Sequence, residues 1–203
     1  MQGSQTPSLS ANDLACRRGD RLLFRGLSFA LGAGEAMHVT GANGTGKTTL
    51  IRALAGLLTP FAGSVSIEGG LGLLDERTGL DPDLQLGKAL AFWERIDGCG
   101  NPAGALAVLG LEPLLDVPVR YLSTGQRKRA AMAALLNRSV PVWLLDEPLA
   151  GLDTETIAKV TSLIQLHIGA GGIALIASHQ PLAIEGLKTL AIEDFAPAQE
   201  HAG

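Results

Sequence analysis

The sequence predicts an α/β fold with a mainly parallel sheet, and three short apolar segments are the main evidence. These candidate strands are residues 36–39, 142–145 and 173–177, and each is followed by a polar or Gly-rich turn. Helical patterns lie between them, and such alternation is typical of a parallel sheet. Ligands of these sheets bind beyond the carboxyl ends of the strands. We therefore expect the three turns to meet in one crevice.

Other elements follow from the same patterns. Three longer stretches have helical periodicity and are predicted to be helices: residues 47–58, 126–136 and 154–168. Asp153 is a suitable N-cap for the last of them. Residues 28–31 and 64–68 are predicted strands that can form an antiparallel edge, with Gly63 as the turn before the second.

Residues 75–138 are helical in pattern and punctuated by Gly and Pro, with short helices predicted over residues 90–96 and 103–109. We predict one domain over residues 9–203, into which this helical subdomain is inserted. The first dozen residues and residues 196–203 are polar, small or Pro-containing, so loose ends are expected there.

The composition is that of a globular protein, with 46% hydrophobic and 18% charged residues. The net charge of -4 provides no broad basic field, so nucleic acid is not an expected partner. Cys16 and Cys99 have no metal-ligand or redox-motif spacing and are interpreted as reduced thiols. No stretch approaches the roughly 20 apolar residues that cross a bilayer, so membrane transport would need a pore from another chain.

The strongest motif is G-A-N-G-T-G-K-T at residues 41–48, which matches the phosphate-binding pattern G-x-x-x-x-G-K-[ST] between a predicted strand and a predicted helix. Its glycines let backbone N–H groups point at phosphate oxygens, and the helix N-terminus adds about half a positive charge. Lys47 is predicted to pair with the β- and γ-phosphates of ATP, and Thr48 to bind Mg²⁺. The predicted nucleotide contacts are Gly41, Ala42, Asn43, Gly44, Thr45, Gly46, Lys47, Thr48 and Thr49.

A second motif is the apolar strand that ends in Asp146 and Glu147. Neighbouring strand residues point to different sides, so the two carboxylates can have different roles. Asp146 is a candidate Mg²⁺ ligand, and Glu147 a candidate base for the water that attacks the γ-phosphate. An acid after an apolar strand is as often a solvated turn, and it is the phosphate loop that favours the catalytic interpretation.

Residues 122–126, L-S-T-G-Q, resemble the L-S-G-G-Q signature of ABC transporter ATPases. Residues 149–153, L-A-G-L-D, resemble the D-loop of that family, and His179 resembles its switch histidine. The order of the elements matches over residues 9–195. The resemblance implies a RecA-like P-loop NTPase fold with an inserted helical subdomain, and an ATPase activity in which Lys47, Glu147 and His179 are catalytic.

The resemblance also implies an ATP site shared between two copies of the chain. Ser123, Gly125 and Gln126 would then face the γ-phosphate held by the partner subunit, and His179 would sense that phosphate. Without the phosphate loop, Ser123 would be interpreted as an ordinary N-cap, and His179 as an ordinary core or surface histidine. Hydrolysis is therefore expected to need a dimer that ATP binding closes.

Two departures from the family pattern affect the site. The Q-loop glutamine is absent, because residues 74–78 read L-D-E-R-T and Glu76 or Arg77 takes its place. The adenine-stacking aromatic is missing near Arg17 and Arg18, and Arg18 can stack through its guanidinium plane instead. Loose base selectivity is therefore expected.

A smaller departure is Thr124, which replaces the first glycine of the signature. A threonine is tolerated there if its φ is negative.

Several segments resemble the ATP-binding subunit of the haem-export ABC complex of bacterial cytochrome c maturation: residues 54–58, 91–93, 117–123 and 142–148. This resemblance implies integral-membrane permease partners, attachment to the cytoplasmic face of the bacterial inner membrane, and a role in supplying haem. The histidines have no common spacing, so direct haem binding by this chain is not expected: His38, His167, His179 and His201.

Three alternatives stay open. The ATPase of another ABC transporter would share every catalytic motif and differ only in the flanking segments. A soluble ABC ATPase of DNA repair or translation would need a coiled-coil insert or a second cassette, and the sequence has neither. A non-hydrolysing cassette is compatible with the Q-loop departure, but the intact Lys47, Asp146, Glu147 and His179 argue against it.

Overall fold

The computed structural model describes residues 6–77, 79–97 and 102–197. In chain order its strands are β1 (Ser8–Arg18), β2 (Arg21–Gly32), β3 (Ala36–Thr40), β4 (Ala62–Glu68), β5 (Leu71–Leu74), β6 (Val142–Asp146), β7 (Ile173–Ala177) and β8 (Lys188–Ala191). Its α-helices are α1 (Lys47–Leu54), α2 (Leu86–Asp97), α3 (Pro102–Val108), α4 (Thr124–Asn137) and α5 (Thr154–Gly169). Short 3-10 turns cover Glu112–Leu114, Val119–Tyr121 and Ile192–Phe195.

The central sheet has the strand order β5-β6-β7-β3-β8, and all its pairs are parallel. Every residue of β6 and β7 is buried, as expected for strands that are covered on both faces. Val39 of β3 and Asp146 of β6 both pair with Ala177 of β7. The carboxyl ends of these strands are therefore level, and the three turns that follow them meet, as predicted.

Alternate side chains of β6 enter different cores. Trp143 and Leu145 pack in a cluster with buried residues of α2 and α4, whereas Val142 and Leu144 pack with β1, β2 and α1. The helices α2, α3 and α4 all lie within residues 75–138. The bounds of the domain and of its helical insert stay a prediction.

The antiparallel sheet has the order β2-β1-β4 and is larger than predicted. β1 begins at Ser8 with Leu9 buried, so the prediction of loose ends over the first dozen residues is wrong for the described part. An irregularity at Asp13, with φ 50°, breaks the alternation that would have indicated the strand. Gly63 lies inside β4 and not in a turn. A side chain at this position would collide with the carbonyl oxygens of Asn12 and Asp13, so the strand needs glycine there.

Several predicted bounds also change. α1 ends at Leu54 and not at residue 58, because Gly56 has φ 71° and the Leu57 N–H donates to the Arg52 carbonyl at 2.9 Å, which closes the helix. α4 begins two residues earlier than predicted, at Thr124. β8 was not predicted, since this short edge strand has only Leu190 buried.

Other elements match their predictions. α5 spans the predicted helix, and the Asp153 carboxylate caps it by accepting from the Thr156 N–H at 2.8 Å. Cys16 is a buried free thiol. No helix in the described part of the chain is long and apolar enough to span a membrane. The predictions that concern residues 1–5, Thr78, Cys99 and residues 198–203 lie outside the described residues.

Candidate functional site

The phosphate loop connects β3 to α1, as its pattern predicts. Gly41, Gly44 and Gly46 have φ values of 142°, 81° and 115°, a region that L side chains avoid. A side chain at Gly41 would also collide with Ile192 and Thr45. The sequence therefore needs glycine at these positions to form the loop.

The Lys47 side chain lies across the loop that precedes it. Its ammonium donates to the carbonyl oxygens of Gly41 at 2.6 Å and Ala42 at 3.1 Å, and the residue is only 6% exposed. Together with the N-terminus of α1, this places positive charge at the mouth of the loop, where an anion is favoured.

A cavity of about 710 Å³ opens at this loop. Most of the predicted nucleotide contacts line it, namely Asn43, Gly44, Gly46, Lys47, Thr48 and Thr49. Glu147 also lines the cavity, and so do Arg17, Arg18 and Leu58. Gly41, Ala42 and His179 line a neighbouring cavity, and Thr45 lines a third.

Asp146 lies at the end of β6 and is 4% exposed. Its Oδ1 atom is buried without a hydrogen-bond partner. Burial raises the pKa of Asp146, and a hydrogen bond with the Thr48 side chain opposes that rise. A buried, unpaired carboxylate oxygen beside the hydroxyl of Thr48 suits a hard cation such as Mg²⁺.

Such an ion would depend on the nucleotide for its other ligands. No group of three or more His, Cys, Asp or Glu side chains among the described residues is arranged to hold a metal. Mg²⁺ commonly binds through one or two protein oxygens, with substrate phosphates and waters completing the shell.

Glu147 follows Asp146 in a left-handed conformation, with φ 47°. Its N–H donates to the Ala177 carbonyl at 2.8 Å, which joins the turn to the end of β7. Its carboxylate contacts His179 twice: the Nδ1–Oε2 distance is 2.9 Å, and the His179 N–H donates to Oε1 at 3.2 Å. The fold thus brings together two of the three predicted catalytic residues, Glu147 and His179, from turns after different strands.

The signature residues lie elsewhere. Ser123 caps α4, its hydroxyl accepting from the Gln126 N–H at 3.2 Å while the Gln126 side chain accepts from the Ser123 N–H at 2.8 Å. Neither these residues nor Gly125 is among those that line the Lys47 cavity. Thr124 is the first residue of the helix, and its φ is not positive. Threonine can therefore replace the signature glycine here without backbone strain.

Gly125 lies close to the D-loop segment. A side chain there would come within 3.1 Å of the Gly151 carbonyl oxygen, so it would have to displace this segment by a few tenths of an ångström. Two motifs that the sequence suggested separately are therefore in contact.

At the position of the missing glutamine, Glu76 is exposed and lines the same cavity as Lys47 and Glu147, whereas Arg77 lines a different one. Asp75 is 7% exposed and accepts from the Arg77 N–H at 2.8 Å. Of the two predicted replacements, Glu76 is the one placed at the cavity. Its carboxylate lowers the electrostatic cost of a cation there.

Sequence reasoning missed two residues that contact the site. Glu193 Oε1 accepts from the Ala42 N–H of the phosphate loop at 2.7 Å, and the Lys128 ammonium donates to the Glu147 carbonyl at 2.6 Å. Glu193 follows the unpredicted strand β8, so no local signal was present. Lys128 comes two positions after the signature, which could have directed attention to it.

Comparison with known proteins gives consistent results. The family model described as ABC transporter matches residues 24–150. A cytochrome c biogenesis ATP-binding export protein, CcmA, of Novosphingobium aromaticivorans is 56% identical over 193 residues, covering 95% of this chain and 100% of the relative. The protein of the same name from Zymomonas mobilis is 49% identical, with 92% of this chain and 85% of the relative covered. That of Sphingopyxis alaskensis is 47% identical, with 91% and 96% covered.

Solved structures agree on the fold. An ATP binding subunit of an ABC transporter superposes with a TM-score of 0.77 at 23% identity, covering 84% of this chain and 79% of that chain. A bacterial Atm1-family ABC exporter with ATP bound gives a TM-score of 0.77 at 23% identity, covering 93% of this chain and 37% of that chain. From the motifs, the fold and these relatives, the chain belongs to the ABC transporter ATPase family, within the group of cytochrome c biogenesis ATP-binding export proteins CcmA.

Proposed function

We propose that the chain is the ATP-hydrolysing subunit of an ABC transporter complex that serves cytochrome c biogenesis by exporting haem. The observation that carries the hydrolytic part is that Lys47, Thr48 and Glu147 line one cavity, so a phosphate-binding loop and a candidate base face the same space. The names of the relatives support the biological process.

In this proposal the loop binds the triphosphate of ATP. Backbone N–H groups of residues 43–48 and the N-terminus of α1 face the phosphates. Lys47 exchanges its present carbonyl partners for the β- and γ-phosphate oxygens. Thr49 adds a contact at the α-phosphate.

Mg²⁺ would be held by the Thr48 hydroxyl and by Asp146, whose buried Oδ1 has no other partner. When bound, the ion neutralises the charge of the β- and γ-phosphates. Asp146 acts through this ion and leaves Glu147 free for a separate role.

Glu147 orients the attacking water and takes its proton on a carboxylate oxygen as the water oxygen bonds to the γ-phosphorus. His179 holds that carboxylate through Nδ1 and its own N–H. The His179 side chain is 51% exposed, so the imidazole is accessible to contact the γ-phosphate. The pair therefore keeps the base in place before the phosphate arrives.

The proposed partners are a second copy of the chain and membrane subunits. Since Ser123, Gly125 and Gln126 do not line the cavity of their own chain, we assign them to the ATP held by a second copy. Transport itself requires integral-membrane permease subunits, which would hold the chain at the cytoplasmic face of the inner membrane. Haem would pass through those subunits and would not bind to this chain.

The test is steady-state ATP hydrolysis by the purified chain, alone and with its membrane partners. Glu147→Gln should lower kcat by about 10²-fold or more while ATP binding is retained and a dimer accumulates, because only the proton acceptor is lost. Glu155→Gln, the same change at an exposed residue of α5, is the control. An unchanged kcat in Glu147→Gln would show that another group activates the water.

A further inference from the structure

Lys128 connects the signature helix to the candidate base. It lies in the second turn of α4, and its ammonium donates to the main-chain carbonyl of Glu147 at 2.6 Å. The two residues belong to different parts of the fold, since α4 lies in the helical region and Glu147 follows the central strand β6. This hydrogen bond therefore bridges the two.

The surroundings of Lys128 indicate a specific electrostatic role. Its side chain is partly buried, and this burial lowers the pKa of Lys128. The carboxylates of Glu147, Glu76 and Asp146 oppose the lowering, so three acids of the nucleotide site act on one ammonium. Burying a lysine beside an active site is unfavourable unless such charges and a hydrogen bond compensate for it.

The backbone of Glu147 needs support. A non-glycine residue with φ 47° is in a sparsely populated conformation that persists only where the surroundings hold it. Its N–H donates to the Ala177 carbonyl of β7, and its own carbonyl accepts from the Lys128 ammonium at 2.6 Å and from the Ala150 N–H at 3.3 Å. Removing the Lys128 contact would leave this carbonyl with only the longer bond from Ala150, and would loosen the turn that aims the carboxylate at the cavity.

We infer that Lys128 is a positioning residue for Glu147, and that it couples the seating of the signature helix to the alignment of the base. The inference rests on the proposed function. α4 begins at Ser123, which we assign to the ATP of the partner subunit. A helix moves nearly as a rigid unit, so a shift of its first turn on that ATP also shifts Lys128 relative to Glu147. Each site would then respond to nucleotide in the other.

The experiment compares Lys128→Met with Lys128→Arg in the full chain. Methionine keeps a similar length without a donor, and arginine keeps the charge and the donor. Lys159→Met on α5, where the lysine pairs with the exposed Glu155, is the control. For each variant we would measure kcat, KM for Mg-ATP, equilibrium ATP binding and the thermal midpoint.

Lys128→Met should lower kcat about 10- to 100-fold, the loss expected for a charged hydrogen bond that aligns a base. KM and ATP affinity should change by less than about threefold, because the phosphate loop is untouched. The thermal midpoint should shift little, because methionine keeps the packing of the partly buried aliphatic stem of Lys128. Lys128→Arg should recover most of the rate.

A double-mutant cycle separates positioning from general stabilisation. In the Glu147→Gln background, Lys128→Met should leave the residual rate nearly unchanged, because a residue that acts only through Glu147 has nothing left to position. Full additivity of the two losses would overturn the inference, as would a wild-type kcat in Lys128→Met. A parallel fall of kcat, affinity and thermal midpoint without recovery by arginine would also overturn it. Loss of the proposed function itself would show separately, as an inactive wild type or an active Glu147→Gln.

Discussion

At the scale of single residues, the cavity is lined at one end by the phosphate loop and elsewhere by arginine, glutamate and aliphatic side chains. Among its described lining residues none is aromatic, and Arg17 and Arg18 lie where the turn between β1 and β2 meets it. The Arg17 guanidinium packs over the Phe61 ring at 5.1 Å from the centroid. With the phosphates at the loop, the base must contact the remaining lining, and a guanidinium plane stacks on either purine.

We therefore expect weak selection between bases. The ratio of kcat/KM for ATP and GTP should lie within about tenfold, and Arg18→Ala should weaken binding of both by a similar factor of about two to ten, the range of an exposed cation–π contact. Arg25→Ala, at an exposed position of β2, is the control. A strong preference of the wild type for ATP would contradict this prediction, and fluorescent-nucleotide competition would measure it.

At the scale of elements, β6 and α5 meet through a stacked pair. The rings of Trp143 and His167 have centroids 3.7 Å apart and an interplanar angle of 7°. His167 Nε2 also lies 3.3 Å from the Ile173 carbonyl oxygen, and the ring fills the space beside Gly172, where any side chain would collide with it. Burial lowers the pKa of His167, with the backbone hydrogen bonds opposing this.

The lowered pKa predicts a pH-dependent stability. The unfolded chain, with a histidine pKa of about 6.5, binds more protons than the folded chain as the pH falls below that value. The contribution of His167 to the free energy of unfolding is therefore fully present above pH ~6.5. It decreases as the pH falls from there to the lower pKa of the folded state. His167→Phe keeps a ring and removes the titration, so its urea-unfolding free energy should vary less between pH 7.5 and pH 5.5.

The size of this effect has a limit. One histidine changes the free energy of unfolding by less than about 1.4 kcal/mol per pH unit, and the partial exposure of His167 makes this change smaller. Parallel stability curves for wild type and His167→Phe would show that the pH dependence comes from other groups. Circular dichroism across the two pH values in urea provides the measurement.

At the scale of the whole molecule, the proposed function gives one chain two half-sites. The phosphate loop and Glu147 share a cavity, but Ser123 at the exposed start of α4 does not line it. Ser123 and Gln126 satisfy each other in a capping box, and the dipole of the helix still favours an anion near its N-terminus. In the proposed function, a second copy of the chain completes the site.

The dimer prediction can be tested without disturbing the cap. Asp and Asn both replace Ser well as N-caps, so Ser123→Asp adds a negative charge towards the partner's γ-phosphate while Ser123→Asn does not. Ser123→Asp should reduce turnover by at least about tenfold and prevent the ATP-trapped dimer of Glu147→Gln, with ATP binding retained. Size-exclusion chromatography with light scattering reports the dimer.

A second readout is the concentration dependence of hydrolysis. If two chains complete each site, the specific activity should rise with protein concentration until the dimer is populated. A constant specific activity, together with a monomer throughout for Glu147→Gln in Mg-ATP, would contradict the shared site.

The sequence alone was sufficient where chemistry and local geometry coincide. β3, β6 and β7 are apolar runs buried on both faces, so their composition identifies them, and α5 is marked by its Asp153 cap. The phosphate loop was predictable because its glycines adopt backbone conformations that other residues avoid. β1 was missed because its irregularity at Asp13 interrupts the alternation, and β8 because so little of it is buried.

The sequence by itself thus determined the fold class, the order of the motifs and the candidate residues for phosphate binding, since each depends on local composition and spacing. Only the tertiary structure decided which groups meet. Parallel pairing aligns the ends of β6 and β7 and brings Glu147 to His179, and α4 packs so that Lys128 reaches the Glu147 carbonyl. These contacts join residues far apart along the chain, and their geometry arises from the packing of whole elements, which no local pattern records.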